Sequence, residues 1–166
     1  MPILIRAAQL QDVEHLAPIE RAAETLFPAG LLPEPGHVID ISVFETAVEA
    51  RHLQVAEVDG SVVGFALCNL LGEYLHLHEM SVHPDFGRRG IGRGLIEATK
   101  TSARDSGLPG VTLTTFSHIP WNGPFYERCG FVTLTEAQLT PDLTKILQQE
   151  DTDGYINRVA MLARLP

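Results

Sequence analysis

A chain that carries VHPDFGRRGIGRGL at residues 82–95 has little freedom in what that stretch can become. An apolar, strand-like run passes through glycines and arginines straight into an amphipathic helical pattern. Gly90, Gly92 and Gly94, with Ile91 between the first two, let backbone N–H groups approach a ligand closely. A helix N-terminus adds unpaired donors, and Arg88, Arg89 and Arg93 supply positive charge. Such a loop suits a diphosphate. The plainer alternative is a flexible basic turn ahead of a helix.

Periodicity and turn residues place the loop within a longer order. Residues 3–7 read as a strand, 12–26 as a helix capped by Asp12, and 42–50 as a shorter helix capped by Ser42. Strands follow at 52–58, 61–70 after Asp59-Gly60, and 73–82 after Gly72, an antiparallel meander. The helix after the loop spans 92–106 and stops at Gly107. A strand at 111–116, a short helix at 122–129 and strands at 131–135 and 157–163 complete the chain, with a further helix considered at 142–150. The expectation is one domain over 1–166, an α/β (α+β) fold with a mainly antiparallel central sheet, in the order β-α-α-β-β-β-α-β-α-β-β.

Charge narrows the partners. Lys and Arg number 12 against 21 Asp and Glu, a formal net charge of −9, the wrong sign for broad contact with nucleic acid or an anionic membrane. No segment approaches the roughly 18 uninterrupted apolar residues of a membrane span, and the short apolar start contains Arg6. Two cysteines, Cys68 and Cys129, cannot build a disulfide framework, so a reducing, cytoplasmic setting is expected.

Two familiar phosphate loops do not match. A P-loop needs Lys followed by Ser or Thr after its last glycine, and Gly92 is followed by Arg93-Gly94. A dinucleotide fold needs an acidic residue ending the next strand, and here that strand ends Thr-Thr-Phe. The segment instead resembles the acetyl-CoA loop of the GNAT superfamily of N-acetyltransferases, Arg/Gln-x-x-Gly-x-Gly/Ala, with Gly90 and Gly92 at the two small positions. Gly87 stands where that family has Arg or Gln, flanked by Arg88 and Arg89. WNGPFYERCGF at 121–131 is similar to the family's second signature, and the two motifs come in the right order. The resemblance covers nearly the whole chain and implies acetyl-CoA as co-substrate. It implies contacts to the coenzyme from Asn122, Phe125 and Tyr126, and main-chain contacts from Met80, Ser81 and Val82. It also implies that the Tyr126 hydroxyl protonates the departing thiolate, a role a phenol near pKa 10 can fill at neutral pH.

The strand YLHLHEMSV before the loop raises the question of the base. Uninterrupted alternation puts His76, His78, Met80 and Val82 on one face and Leu77, Glu79 and Ser81 on the other. An alkylammonium near pKa 10.4 is neutral in roughly one molecule in 2,500 at pH 7, so a proton acceptor or a water chain is required. The His-Leu-His arrangement resembles that of arylalkylamine N-acetyltransferases, which points to His76 as base with His78 as relay. His76 also falls where the superfamily's histone acetyltransferases carry a catalytic Glu, and Glu79 and water remain alternatives. A His-x-His pair can bind metal, but the third and fourth ligands are wanting, and no metal is expected.

For the acceptor, residues 20–45 are implicated by the resemblance, and Glu20, Glu24, Glu34 and Asp40 can attract a cation. The expectation is direct acetyl transfer to a primary amine of a small molecule. Protein or peptide N-acetylation, aminoglycoside acetylation, and a non-catalytic CoA-binding sensor are the rivals. Homodimerisation is compatible with the sequence but not indicated by it.

Overall fold

A computed structural model describes residues 2–166; Met1, within the expected single unit, lies outside the described residues. Strand β1 (Ile3–Ala7) leads into a 3-10 turn, Leu10–His15, and then α1 (Leu16–Glu24). The single helix expected over 12–26 is thus divided. Starting the α-helix at Leu16 puts Pro18 in its first turn, where a missing N–H costs nothing. Asp12 does not cap α1. It accepts the Gln9 amide at 2.7 Å and forks onto Arg6 at 2.8 and 2.9 Å, stapling the turn to β1.

Helix α2 (Ile41–Ala50) is capped by Asp40, not Ser42: the Ser42 N–H donates to the Asp40 carboxylate at 2.9 Å. Strands β2 (Leu53–Val58) and β3 (Ser61–Leu71) are joined at Asp59-Gly60, both with positive φ (50° and 79°), the turn an Asp-Gly pair favours. Strand β4 (Tyr74–Val82), α3 (Ile91–Asp105), β5 (Gly110–Phe116) and α4 (Gly123–Arg128) follow. The strand expected at 131–135 contracts to β6, Val132–Thr133; the Leu134 N–H still bonds the Ala160 C=O at 2.9 Å, and the chain then turns through Glu136–Gln138 towards α5 (Pro141–Thr152). Strand β7 (Arg158–Arg164) ends the chain.

The seven strands lie in the order β1-β2-β3-β4-β5-β7-β6. Every neighbouring pair is antiparallel except β4 and β5, which run parallel. Each face of the sheet carries its own hydrophobic layer. Leu75, Leu77, Leu95, Ile96, Leu113, Phe131 and Met161 fill the face under α3 and α4. Leu16, Ile19, Phe44, Leu53, Phe65 and Leu67 fill the face under α1 and α2. Phe44, 1% exposed, meets Phe65 edge-on at 5.3 Å. Phe44→Ala empties that layer and is expected to cost about 3–5 kcal/mol in denaturant unfolding, with an unchanged m-value.

Among the described residues, no helix is long and apolar enough to cross a membrane. Both cysteines are buried and free.

Candidate active site

The glycine and arginine loop leaves main-chain donors free at the start of a helix. His83-Pro84 opens a 3-10 turn, Pro84–Phe86, whose start is capped by the His83 ring taking the Asp85 N–H at 3.2 Å. The chain then passes Arg88 in the left-handed region (φ 59°) and enters α3 at Gly90 (φ 82°), a conformation that favours glycine. No side chain caps α3, and its first ladder bond is Gly94 N–H to Gly90 C=O, so the N–H groups of Ile91, Gly92 and Arg93 remain as donors at the positive end of the helix. At Gly92 a Cβ would lie 3.3 Å from the Phe125 ring and 3.6 Å from the Met80 Cε. Glycine there lets α3 settle onto β4 and α4, which is how those donors are aimed at the sheet.

The three arginines differ in what they do. Arg89 lies over the Phe86 ring at 5.2 Å and Arg93 donates to the Arg128 carbonyl at 3.1 Å. Arg88 is exposed beside them, so it is the most adaptable of the three cations towards a phosphate.

The sheet opens next to this loop. β4 and β5 pair only at Leu75–Val111, His76–Thr112 and Leu77–Leu113, then part company. The β4 edge at Met80, Ser81 and Val82 is therefore free of β5, although its other edge still pairs with Ala66, Phe65 and Gly64 of β3. The main-chain groups of Met80, Ser81 and Val82 thus have no β5 partner, and they lie beside the uncapped start of α3.

A β-bulge at this point corrects the expected side-chain alternation. Leu67 opposes Glu79 while Cys68 opposes Leu77, which leaves His78 as the extra residue. Met80 and Val82 consequently join Leu75 and Leu77 on the α3 face. Glu79 and Ser81 fall on the α1 face with His76, so the placing of Met80 and Val82 beside His76, and of Glu79 opposite it, does not hold.

The two histidines then separate. His76 is 4% exposed within the paired part of the strands, its Nδ1 2.9 Å from the Thr112 hydroxyl. Burial, with some repulsion from His78, pushes its pKa down to about 4. His78 bulges to the surface, and desolvation by its surroundings lowers its pKa while Glu150 opposes that. Among the described residues no three His, Cys, Asp or Glu side chains gather to hold a metal ion.

Glu79 and Tyr126 sit at the opening itself. Desolvation, followed by the negative charge of Glu20, pushes the Glu79 pKa up to about 7, while the Ser81 hydroxyl, 3.4 Å away, and Arg158 hold it down. Tyr126, on α4, is 7% exposed, with its ring against Phe125 at 5.3 Å and Phe131 at 5.8 Å. Burial and the neighbouring Glu79 raise its pKa, so the phenol keeps its proton. No buried side-chain polar atom among the described residues lacks a partner, so the Tyr126 hydroxyl is not sealed into the core. Asn122 stands at the N-cap of α4, its amide donating to the Trp121 carbonyl at 3.0 Å, and the Tyr126 N–H bonds its C=O at 2.9 Å.

On the acceptor side, the carboxylates of α1 are employed differently from the expected cation trap. Glu20 accepts the Ile39 N–H at 3.0 Å and Glu24 the Gly36 N–H at 2.7 Å. One helical turn apart, they tie the α1–α2 connection down across the sheet. Phe27 packs at 5.8 Å from Phe116 and 5.9 Å from Trp121, and Pro33 abuts Gly154. Asp40 is the α2 cap, and Glu34 lies at the surface near His37. Sequence reasoning missed the aromatic group of Phe27, Phe116, Trp121 and Tyr155, because its members come from four separate segments with no shared period.

The match to a family model agrees with this geometry: residues 49–133 fit the acetyltransferase (GNAT) domain. The chain belongs to the GNAT acetyltransferase family, and it is an N-acetyltransferase that uses acetyl-CoA as co-substrate. It is 29% identical over 144 residues to S-(2-succino)cysteine N-acetyltransferase of Bacillus subtilis, covering 81% of this chain and 87% of that protein. In fold it is similar to the PaiA N-acetyltransferase of Thermoplasma acidophilum, solved with coenzyme A (TM-score 0.69, 17% identity, 99% of this chain and 100% of that one). It is also similar to N-acetylglutamate synthase of Neisseria gonorrhoeae, solved with coenzyme A and N-acetyl-glutamate (TM-score 0.75, 21% identity, 100% of this chain and 36% of that one).

Proposed function

We propose that the chain transfers acetyl from acetyl-CoA directly to the primary amine of a small molecule, with Glu79 as general base and Tyr126 as general acid. The observation that carries this reading is that Glu79 lies on β4 past its last pair with β5, while Phe125, the neighbour of Tyr126 on α4, packs at Gly92 and Met80 beside that opening. Cradle, slot and acid–base pair are then in line. The Ile91–Arg93 amides with Arg88 would hold the pyrophosphate, the free β4 edge at Met80–Val82 would pair with the pantetheine arm, and Asn122 and Phe125 would border it. Acetyl-CoA brings a thioester, an acyl carbon already open to nucleophiles.

The chemistry required of the residues is proton management. An ammonium entering the opening must lose a proton before it can attack, and a carboxylate with a pKa of about 7 accepts it at neutral pH without becoming a strong competitor for charge. The amine nitrogen bonds to the acyl carbon as the carbon–sulfur bond breaks. The sulfur takes the Tyr126 proton, and the second nitrogen proton leaves by way of the phenolate or water. Two protons leave nitrogen, one stays on the thiol and one reaches solvent, so Glu79 and Tyr126 return to their starting states. Alignment of amine and thioester in the slot supplies much of the acceleration.

His76, first choice from sequence, fits the base role less well. A pKa of about 4 makes it a poor proton acceptor, and Thr112 engages its Nδ1. The α1–α2 connection, tied down by Glu20 and Glu24 and by Phe27 against Trp121, favours a small acceptor.

The deciding experiment is CoA release with a panel of amino acids, arylalkylamines, polyamines, aminoglycosides and peptides. Turnover confined to small amines is the expected result. Acetylation of peptides alone would move the chain to the protein-modifying class. Saturable acetyl-CoA binding without turnover on any amine would make it a sensor.

A further inference from the structure

Arg158 is paired with Glu150 along one edge of its guanidinium and keeps the other edge free. It opens β7 directly opposite Phe116 of β5 and lies over that ring at 4.6 Å and over the Tyr155 ring at 5.1 Å. Its Nε donates to Glu150 at 3.1 Å, and its Nη2 donates to the same carboxylate at 3.2 Å and more weakly to the Thr114 hydroxyl at 3.4 Å. The Thr114 hydroxyl in turn donates to Glu150 at 2.8 Å. Two rings and a two-point ion pair hold the guanidinium plane in one orientation, with its side chain only 17% exposed. The Nη1 N–H groups have no acceptor among the described residues. They belong to the edge of the fork turned away from Glu150, and Arg158 lines a cleft of about 340 Å³ with Leu147, Asp151, Tyr155, Ile156 and Asn157.

The cleft and the transfer site are neighbours. The Phe116 ring under Arg158 packs against Phe27, just past α1, and Phe27 meets Trp121, just before the helix that carries Tyr126; in keeping with this, the Arg158 charge lowers the pKa of both Glu79 and Tyr126. The acceptor side is therefore bipolar: carboxyl groups, Glu79 with Glu20 behind it, at one end, and a fixed guanidinium edge at the other. A simple diamine or polyamine would leave that edge unsatisfied and place a second cation against it. A molecule with a carboxylate as well as an amine satisfies both poles, because Arg presents N–H donors in the planar geometry a carboxylate accepts.

Resting on the transfer reading above, we infer that the acceptor is an amino acid, its amine directed to Glu79 and its carboxylate held by Arg158. Glu150, Phe116 and Tyr155 position Arg158, and Arg158 sets the specificity.

The test compares each of three amino acids, L-glutamate, L-methionine and L-phenylalanine, with its α-amide and with the amine lacking the α-carboxyl group, by CoA release from the intact protein. The expected result is at least one free acid preferred over its amide and its decarboxylated counterpart by about 30-fold or more in kcat/KM, carried mainly by KM. Arg158→Gln should collapse that preference towards unity, and Arg158→Lys, with charge but no fork, should retain part of it. Wild-type ratios settle the matter even if the variants fold poorly, and retained acetyl-CoA affinity serves as the folding control. Equal or better turnover of the carboxylate-free amines overturns the inference and leaves the transfer reading standing. Release from none of the amines, with acetyl-CoA still bound, overturns the transfer reading and the inference together.

Discussion

Glu79→Gln is expected to lower kcat/KM by about 10²- to 10⁴-fold while acetyl-CoA still binds, because the amide keeps the shape and loses the proton acceptor. The wild-type profile of kcat/KM should rise with an inflection near pH 7, where the carboxyl ionises. In the variant that inflection disappears and only the slope set by the amine's own ionisation remains. His76→Gln is the contrasting case. Its imidazole titrates near pH 4, so the limb near 7 should stay where it is. A limb that moves in His76→Gln but not in Glu79→Gln would return the role of base to the histidine.

The same substitution has a thermodynamic consequence of opposite sign. A carboxyl whose pKa rises from 4.5 to about 7 on folding binds its proton more tightly in the folded chain than in the unfolded one. Folding stability from this group is therefore full below about pH 4.5 and drains away as the pH climbs to about 7. Above pH 7, Glu79→Gln should melt a few degrees higher than the wild type, measured by calorimetry across pH 5 to 8. An active site that stores strain in a base loses both activity and strain when the base is removed.

Tyr126→Phe is expected to lower kcat by about 10²-fold with little change in acetyl-CoA affinity. Phenylalanine fills the same space between Phe125 and Phe131, so the loss isolates the hydroxyl proton. The deficit should shrink with an acetyl donor whose thiol leaves without protonation, such as an acetylated nitrothiophenol. Unchanged turnover of acetyl-CoA in Tyr126→Phe would remove the acid role.

Much of this architecture was legible from residue pattern. The Asp59-Gly60 turn, the amphipathic run after Gly90 and the two strands that flank the turn are local signals, and the structure agrees with them. What escaped, including the position of the strand bulge that the resemblance implies, depends on pairing between distant segments. The bulge at His78 exists because β3 and β4 slip by one residue after Leu67, and nothing in YLHLHEMSV marks that slip. It reverses the expected faces of the next four residues, and with them the neighbours of Glu79. The Arg158 site has the same origin, since its partners come from β5, α5 and the turn before β7. The division of α1 was readable in principle: Pro18 signals that an uninterrupted helix from residue 12 would lose an interior hydrogen bond.

The fastening of the α1–α2 connection carries a consequence for how such a chain diversifies. Residues 28–40 are secured by two carboxylates and by the rings packed around Phe27 just before them, and of these residues Ile39 alone packs against either of the two apolar layers that hold the sheet. Selection can therefore rewrite this strap at little cost to the sheet beneath it.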